Sequence, residues 1–398
     1  MPLPSLSQVA LPEAPVEDWQ IGGFGLYVHW PFCASKCPYC DFNSHVVAHV
    51  DQARWADAFV REIARVGAET EGSVLRSVFF GGGTPSLMEP ATVQTVLDAV
   101  RNTWTLSNDC EITLEANPGS VEAGRFEGFR DAGVNRVSMG IQALNDADLR
   151  RLGRLHSVDE ALAAFDVARG LFGRVSFDLI YARQDQTVAQ WEAELRRALS
   201  MAVDHLSLYQ LTIEDGTAFG DRFAAGRLRG LPDEDRAADM WDVTQAVTDD
   251  AGFGSYEVSN HARVGSESRH NLIYWQGGDY AGIGPGAHGR LTLGGVRYAT
   301  EAPKAPGAWL AQAEAGSGEN VRDALVAEDR DAELLMMGLR VTDGVDLSRL
   351  STERNEDLHR QINDLRDIGL VELSGDILRC TTQGRPVLNA VLRQLLAP

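Results

Sequence analysis

Three thiols fall within eight positions, at Cys33, Cys37 and Cys40, with spacings of four and three. A loop of that length can curl around one corner of an iron–sulfur cubane so that each thiolate reaches a different iron. Three ligands for four irons leave one iron open, and an open position is what catalytic metal centres keep and structural ones close. Two other chemistries use such residues. A structural zinc site would need His29 or His45 as its fourth ligand, but zinc ligands usually come in two paired knuckles, and this run is compact and unpaired. A redox pair at Cys37 and Cys40 would normally open a helix in a thioredoxin-like unit, and no such context precedes Cys37. Cys110 and Cys380 stand alone beside or within apolar runs and read as small buried hydrophobes. With five cysteines, three of them crowded together, the chain suits metal ligation in a reducing compartment better than a disulfide framework, so the cytoplasm is the expected location.

Other candidates lie at equivalent places along the chain. Apolar runs of strand length recur at 24–30, 74–80, 111–117, 136–142, 174–181 and 205–213. Amphipathic stretches at 51–68, 90–102, 121–132, 157–170 and 188–201 separate them. Strands alternating with helices predict a parallel sheet with right-handed crossovers, and six such units fit a partial (βα)₆ barrel of the TIM type. The cysteines follow the first run, and Gly81 to Thr84 follow the second. Glu115 and Asn117 close the third, and Gln142 closes the fourth. A parallel α/β barrel keeps its active site at the carboxyl ends of its strands, so these segments point to one place. Taken singly, Glu115 or Asp178 could cap a helix or pair with Arg136, and a glycine run can simply turn the chain.

Beyond a helix near 233–250, residues 254–260 read as a strand, and a Gly- and His-rich stretch follows. From about 329 the pattern becomes helix, helix and two short strands around Gly375, then a last helix at 386–396, which together look like a winged-helix α+β module. The expected organisation is a leader at 1–23, the barrel at 24–252, a loop-rich segment at 253–328 and the winged-helix-like domain at 329–398. The formal charge is −21, and residues 329–398 carry nine Arg, no Lys and twelve Asp or Glu, so neither the chain nor its winged module suits nucleic acid. The first twenty residues do not read as a secretory signal. No run approaches the ~18 apolar residues of a membrane span, although peripheral membrane contact stays open.

The segment from Tyr27 through Cys33, Cys37 and Cys40 to Ser44 resembles the cluster loop of the radical S-adenosylmethionine superfamily. More narrowly, it resembles the branch holding the oxygen-independent coproporphyrinogen III oxidases (HemN) and the heme chaperones (HemW). The likeness runs from about residue 24 to the C-terminus. It implies a [4Fe-4S] cluster on Cys33, Cys37 and Cys40, with S-adenosylmethionine chelating the open iron. Gly82, Gly83 and Thr84 resemble the glycine stretch that lies against the methionine moiety. Tyr27, Phe42, Glu115, Gln142, Arg154 and Asp178 match other positions that line the S-adenosylmethionine site.

Within the branch, Phe42 stands where the oxidases carry a further cysteine, and too few residues precede the first strand to form the oxidase's N-terminal lid. His270, Asn271, Tyr274 and Trp275 resemble the chaperones' H-N-x-x-Y-W motif, in which an imidazole can ligate heme iron beside flat aromatic surface. By composition alone they read as a bonded loop histidine with aromatics in the core. The segments 208–219, with Glu214, and 256–260 also resemble that branch. Residues 178–187 depart from it: D-L-I-Y-A-R-Q-D-Q-T replaces D-L-I-Y-G-L-P-G-Q-T, so glycines are lost at 182 and 185 and a proline at 184. This loop is therefore expected to approach the ligand less closely. At 286–289, G-A-H-G stands where G-A-H-S is usual. The resemblance implies a heme chaperone that passes heme to an acceptor protein, with radical decarboxylation of coproporphyrinogen III as the alternative.

Overall fold

Alternation within each barrel strand decides what the barrel holds. In the computed structural model, which describes residues 17–119, 123–351 and 355–397, six strands pair in parallel and in chain order. They are β1 (Phe24–Trp30), β2 (Val74–Gly82), β3 (Thr105–Ala116), β4 (Arg136–Gln142), β5 (Arg174–Tyr181) and β6 (His205–Gln210). Leu26, Val28, Val78, Phe80, Leu114, Val137, Met139, Phe177 and Leu206 belong to one apolar core that the flanking helices share. The residues between them, including Tyr27, Glu115, Arg136, Ser138, Asp178, His205, Ser207 and Tyr209, line interior cavities instead. A two-residue period thus gives each strand an apolar back and a polar front.

The connecting helices are Gln52–Glu69, Pro90–Thr103, Phe126–Ala132, Val158–Leu171 and Val188–Met201, and Glu234–Asp250 follows β6. Ser157 and Thr187 open two of them with reciprocal capping boxes. Residues 121–122 of the helix expected at 121–132 lie outside the described residues. Cys110 and Cys380 are buried, as expected of small hydrophobes.

The segment 253–328 is not loop-rich. It supplies further strands to the same sheet, which has twelve among the described residues. Asp279–Ile283 pairs in parallel with β1, and His288–Leu293, Val296–Glu301 and Val321–Ala324 continue outward antiparallel. At the other edge, Asn260–Ala262 pairs antiparallel with β6, and Gly254–Ser255 lies beyond it. The single strand expected at 254–260 is therefore broken, with Glu257 accepting from Ser259 and Asn260 at the break. Glycine obscured these strands in the sequence while making them possible. A Cβ on Gly278 would stand 2.6 Å from the carbonyl oxygens of Gly22 and Gly23.

The expected leader is also corrected where it is described. Asp18–Gly22 is a helix, and Asp18 is only 3% exposed. Its carboxylate meets Arg297 at 3.2 Å, Arg330 at 3.0 Å and Arg349 at 3.4 Å, tying the N-terminal segment to the sheet and to the C-terminal domain. Residues 1–16 lie outside the described residues.

The C-terminal domain is winged-helix-like. The helices Ala327–Gly338, Asn355–Asp367 and Leu388–Leu395 surround a sheet of Val345–Asp346, Ile377–Cys380 and Val371–Ser374. Leu335, Ile362, Leu365, Leu378, Val391 and Leu395 form its separate core. The expected helical residues 352–354 lie outside the described residues. No helix among the described residues is long and apolar enough to cross a membrane.

Candidate functional site

The loop after β1 carries the three thiols over the carboxyl ends of the strands, pinned where Phe32–Cys33 pairs with His45–Val46. Cys33, Cys37 and Cys40 line one cavity of about 350 Å³ together with Phe42, Gly82, Gly83, Thr84, Glu115, Gln142, Arg154 and Asp178. All the sequence-expected residues for cluster and S-adenosylmethionine except Tyr27 therefore meet there. Tyr27 lies one layer deeper, its hydroxyl 3.0 Å from Nδ1 of His29.

Close backbone approach shapes this cavity. Gly82 has φ +109°, and a Cβ there would come within 2.6 Å of the His29 ring. On Gly83 a Cβ would stand 2.8 Å from the carbonyl oxygen of Phe32. Gln142 holds φ +74°, a left-handed conformation costly for a side chain other than glycine and often found at ligand sites.

The donor set suits a cluster and a charged, polar cofactor. Three free thiols share the cavity, and a guanidinium reaches in among them. Nη1 of Arg154 donates to Sγ of Cys37 at 3.6 Å, while its Nε is buried with no hydrogen-bond partner among the described residues. The hydroxyl of Thr84 donates to Sγ of Cys33 at 3.4 Å. Among the described residues, no three His, Cys, Asp or Glu side chains converge into a ready metal cage. The cysteines line a shared cavity rather than a closed site.

Electrostatics divide the cavity wall. Burial and the neighbouring Asp178 push the Glu115 carboxyl up to about 8, against the backbone N–H of Gly82 and the charge of Arg136. Burial likewise raises Asp178 to about 6, against hydrogen bonds from Ser207 and Ser138 and the charge of Arg136. Glu115 thus carries a proton at neutral pH and can donate a hydrogen bond. Burial also raises the thiols of Cys33 and Cys40.

Glu115, Ser138 and Asp178 also line a second interior cavity of about 180 Å³, bounded by Tyr27, Arg136, His205, Tyr209, His270, Asn271 and Tyr274. The residues expected to meet heme lie at this second cavity or beside it. His270 lies on the helix Arg269–Trp275, not on a loop, and is 2% exposed. Its Nδ1 is 2.7 Å from the Ser77 hydroxyl and its Nε2 is 2.6 Å from the Tyr274 hydroxyl. Its ring stacks on Phe79 at 5.0 Å. With both nitrogens engaged, ligating iron would require displacing the Ser77 or Tyr274 hydroxyl, and the cavity is smaller than the ~300–1,000 Å³ that holds drug-sized ligands. Tyr274 faces inward with it, and Trp275 packs 5.7 Å from the guanidinium of Arg340. This motif closes the barrel interior.

The departure at 182–185 also has a structural answer. Ala182 and Asp185 keep φ +57° and +59°, the left-handed conformation that glycine adopts freely. The buried Arg183 holds the turn through Glu194 at 2.5 Å and Asp148 at 3.0 Å. None of residues 182–185 lines the main cavity. Asn117, read in the sequence only as a polar residue closing β3, and His156, which sequence reading passed over, also line that cavity; their signal was position, after β3 and in the segment following β4. Glu214 lies outside both cavities.

Residues 27–198 match the radical SAM superfamily model, and residues 325–387 match the HemN C-terminal domain. The chain is 40% identical to the mitochondrial radical S-adenosyl methionine domain-containing protein 1 of Bos taurus, over 94% of this chain and 87% of that protein. It is 38% identical to the heme chaperone HemW of Escherichia coli, over 94% of this chain and 98% of that one. The solved structure of coproporphyrinogen III oxidase (HemN) from Escherichia coli superposes with a TM-score of 0.78 at 22% identity, covering 94% of this chain and 90% of that one, a likeness of fold. With the cysteine loop, the glycine cradle and the polar barrel interior in place, the chain belongs to the radical S-adenosylmethionine superfamily, among the proteins related to HemN and HemW.

Proposed function

We propose that this protein is a heme chaperone, which binds heme and passes it to an acceptor protein while carrying a [4Fe-4S] cluster on Cys33, Cys37 and Cys40 and S-adenosylmethionine in the adjoining cavity. The observation that carries this reading is near-full-length identity of 38% to proteins named heme chaperone HemW in Escherichia coli and Mycobacterium tuberculosis. When bound, the cluster would supply the electron that cleaves the sulfonium. The chain's own part is to hold and shield. The missing side chains at Gly82 and Gly83 let the chain's backbone approach the cofactor, Arg154 faces anionic groups, and protonated Glu115 donates a hydrogen bond.

Heme is proposed to dock at the cavity mouth. Phe42 is 60% exposed and Leu155 77% exposed, two apolar side chains beside the cluster loop. His156 is the better-placed axial donor. Its Nε2 is held by the Ile141 carbonyl at 3.1 Å, and its Nδ1 has no hydrogen-bond partner among the described residues. Burial lowers its pKa to about 4, so the ring is neutral at pH 7. A ligating histidine typically has its other nitrogen fixed by such a carbonyl. A reducing compartment suits the free thiols.

The test is anaerobic reconstitution, heme titration followed by absorption, and transfer to an apo-hemoprotein. Stoichiometric heme uptake with a spectrum altered by His156→Ala but not by His270→Ala is expected. Protoporphyrinogen formation from coproporphyrinogen III with reductant, without heme retention, would favour the oxidase instead.

A further inference from the structure

We propose that Asn117 is a positioning residue for the cluster ligands, relaying the charge of Arg154 to Cys33 while Arg154 itself reaches Cys37. The inference rests on the reading of the cysteines as cluster ligands and goes beyond it by assigning a role to a residue that does not touch the cluster.

The geometry is a continuous chain of hydrogen bonds. Nη2 of Arg154 donates to Oδ1 of Asn117 at 2.6 Å and to the carbonyl of Gly140 at 2.8 Å. Nδ2 of Asn117 donates to the Thr84 hydroxyl at 3.2 Å, and that hydroxyl donates to Sγ of Cys33 at 3.4 Å. On its other branch, Nη1 of Arg154 donates to Sγ of Cys37 at 3.6 Å. Every donor in the chain points away from the guanidinium and toward sulfur. Successive bonds of one polarity strengthen each other, and the first donor is charged. The groups that favour the charged form of Arg154 are the Cys37 thiol and the Tyr39 hydroxyl. Cys40 takes no part in the chain.

Hydrogen bonds to cluster sulfurs are one of the protein's means of setting reduction potential. Donors favour the more negative reduced state, so breaking the chain lowers the potential. Asn117→Leu removes both bonds at similar size, and Thr84→Val removes the last donor at nearly constant shape.

The experiment is an electron paramagnetic resonance redox titration of the anaerobically reconstituted full chain, after iron and sulfide analysis. Each single variant should reduce the ratio of reduced to oxidised cluster at fixed potential about tenfold, a shift of ~59 mV for one electron. The double variant should fall little further, because the second change acts on a chain already broken. Full iron and sulfide content with the parent midpoint in Asn117→Leu would overturn the proposal, as would fully additive shifts. If Asn117→Leu does not fold, Thr84→Val alone decides by the same measure. A parent protein that takes up no cluster would overturn the underlying ligand reading, a result distinct from an intact cluster with an unmoved potential.

Discussion

Replacing Glu115 with glutamine should leave the apoprotein nearly as stable as the parent at pH 5 and make it more stable at pH 9. The Glu115 carboxyl lies inside the barrel, where burial and Asp178 raise it from 4.5 to about 8. Between those values the folded chain holds a proton that the unfolded chain has released. Stability changes with pH in proportion to protons bound in the unfolded state minus those bound in the folded state, and here that difference is negative. The parent is therefore most stable below about pH 4.5 with respect to this group, loses stability as pH rises, and levels off above about 8. A displacement of that size corresponds to roughly 5 kcal/mol when the whole desolvation cost is expressed, at about 1.36 kcal/mol per unit. Water reaching the shared cavities relieves part of it, so a loss of about 2–4 kcal/mol is expected. Glutamine keeps an oxygen for the Gly82 N–H and carries no charge at any pH. The assay is urea unfolding of reduced apoprotein at pH 5, 7 and 9. A parent and a variant whose stabilities fall in parallel would refute the argument, because the slope would then belong to other groups.

Ala182→Gly should raise stability by about 0.5–1 kcal/mol in the same unfolding assay, since φ +57° strains alanine and suits glycine. Asp18→Ala should cost about 3–5 kcal/mol and hasten proteolysis of the C-terminal domain, because three arginines would lose the buried carboxylate they share. Changing Cys33, Cys37 and Cys40 together to alanine should abolish iron and sulfide uptake while leaving far-ultraviolet circular dichroism unchanged, because the three side chains lie on a surface loop rather than in the core.

The cluster loop was legible because it is local. Three thiols within eight residues carry their spacing in one dimension, and a loop after a strand needs no distant partner to bring them together. Barrel strands and helices were legible for a related reason: apolar periodicity survives in any window longer than a few residues. The boundaries agree closely, as at Gln52–Glu69 against an expected 51–68 and Val188–Met201 against 188–201. Glycine-rich strands were not legible, because their pairing is decided elsewhere. Asp279–Ile283 is a strand because Phe24 to Val28 lies beside it.

His270 shows the same division more sharply. Its motif could be read in one dimension, but whether its imidazole is open or engaged depends on Ser77, nearly two hundred residues earlier, and on Tyr274. Asn117 was visible only as a polar residue closing a strand, and its link to two cysteine sulfurs exists only once Thr84 and Arg154 converge on it. Residue type and spacing alone determined the fold class, the family and the cysteine loop, since each is written in short-range pattern. The polar interior, the state of His270 and the anchoring of Asp18 were decided by tertiary structure, because burial and hydrogen-bond partnership are set by contacts between residues far apart in the chain.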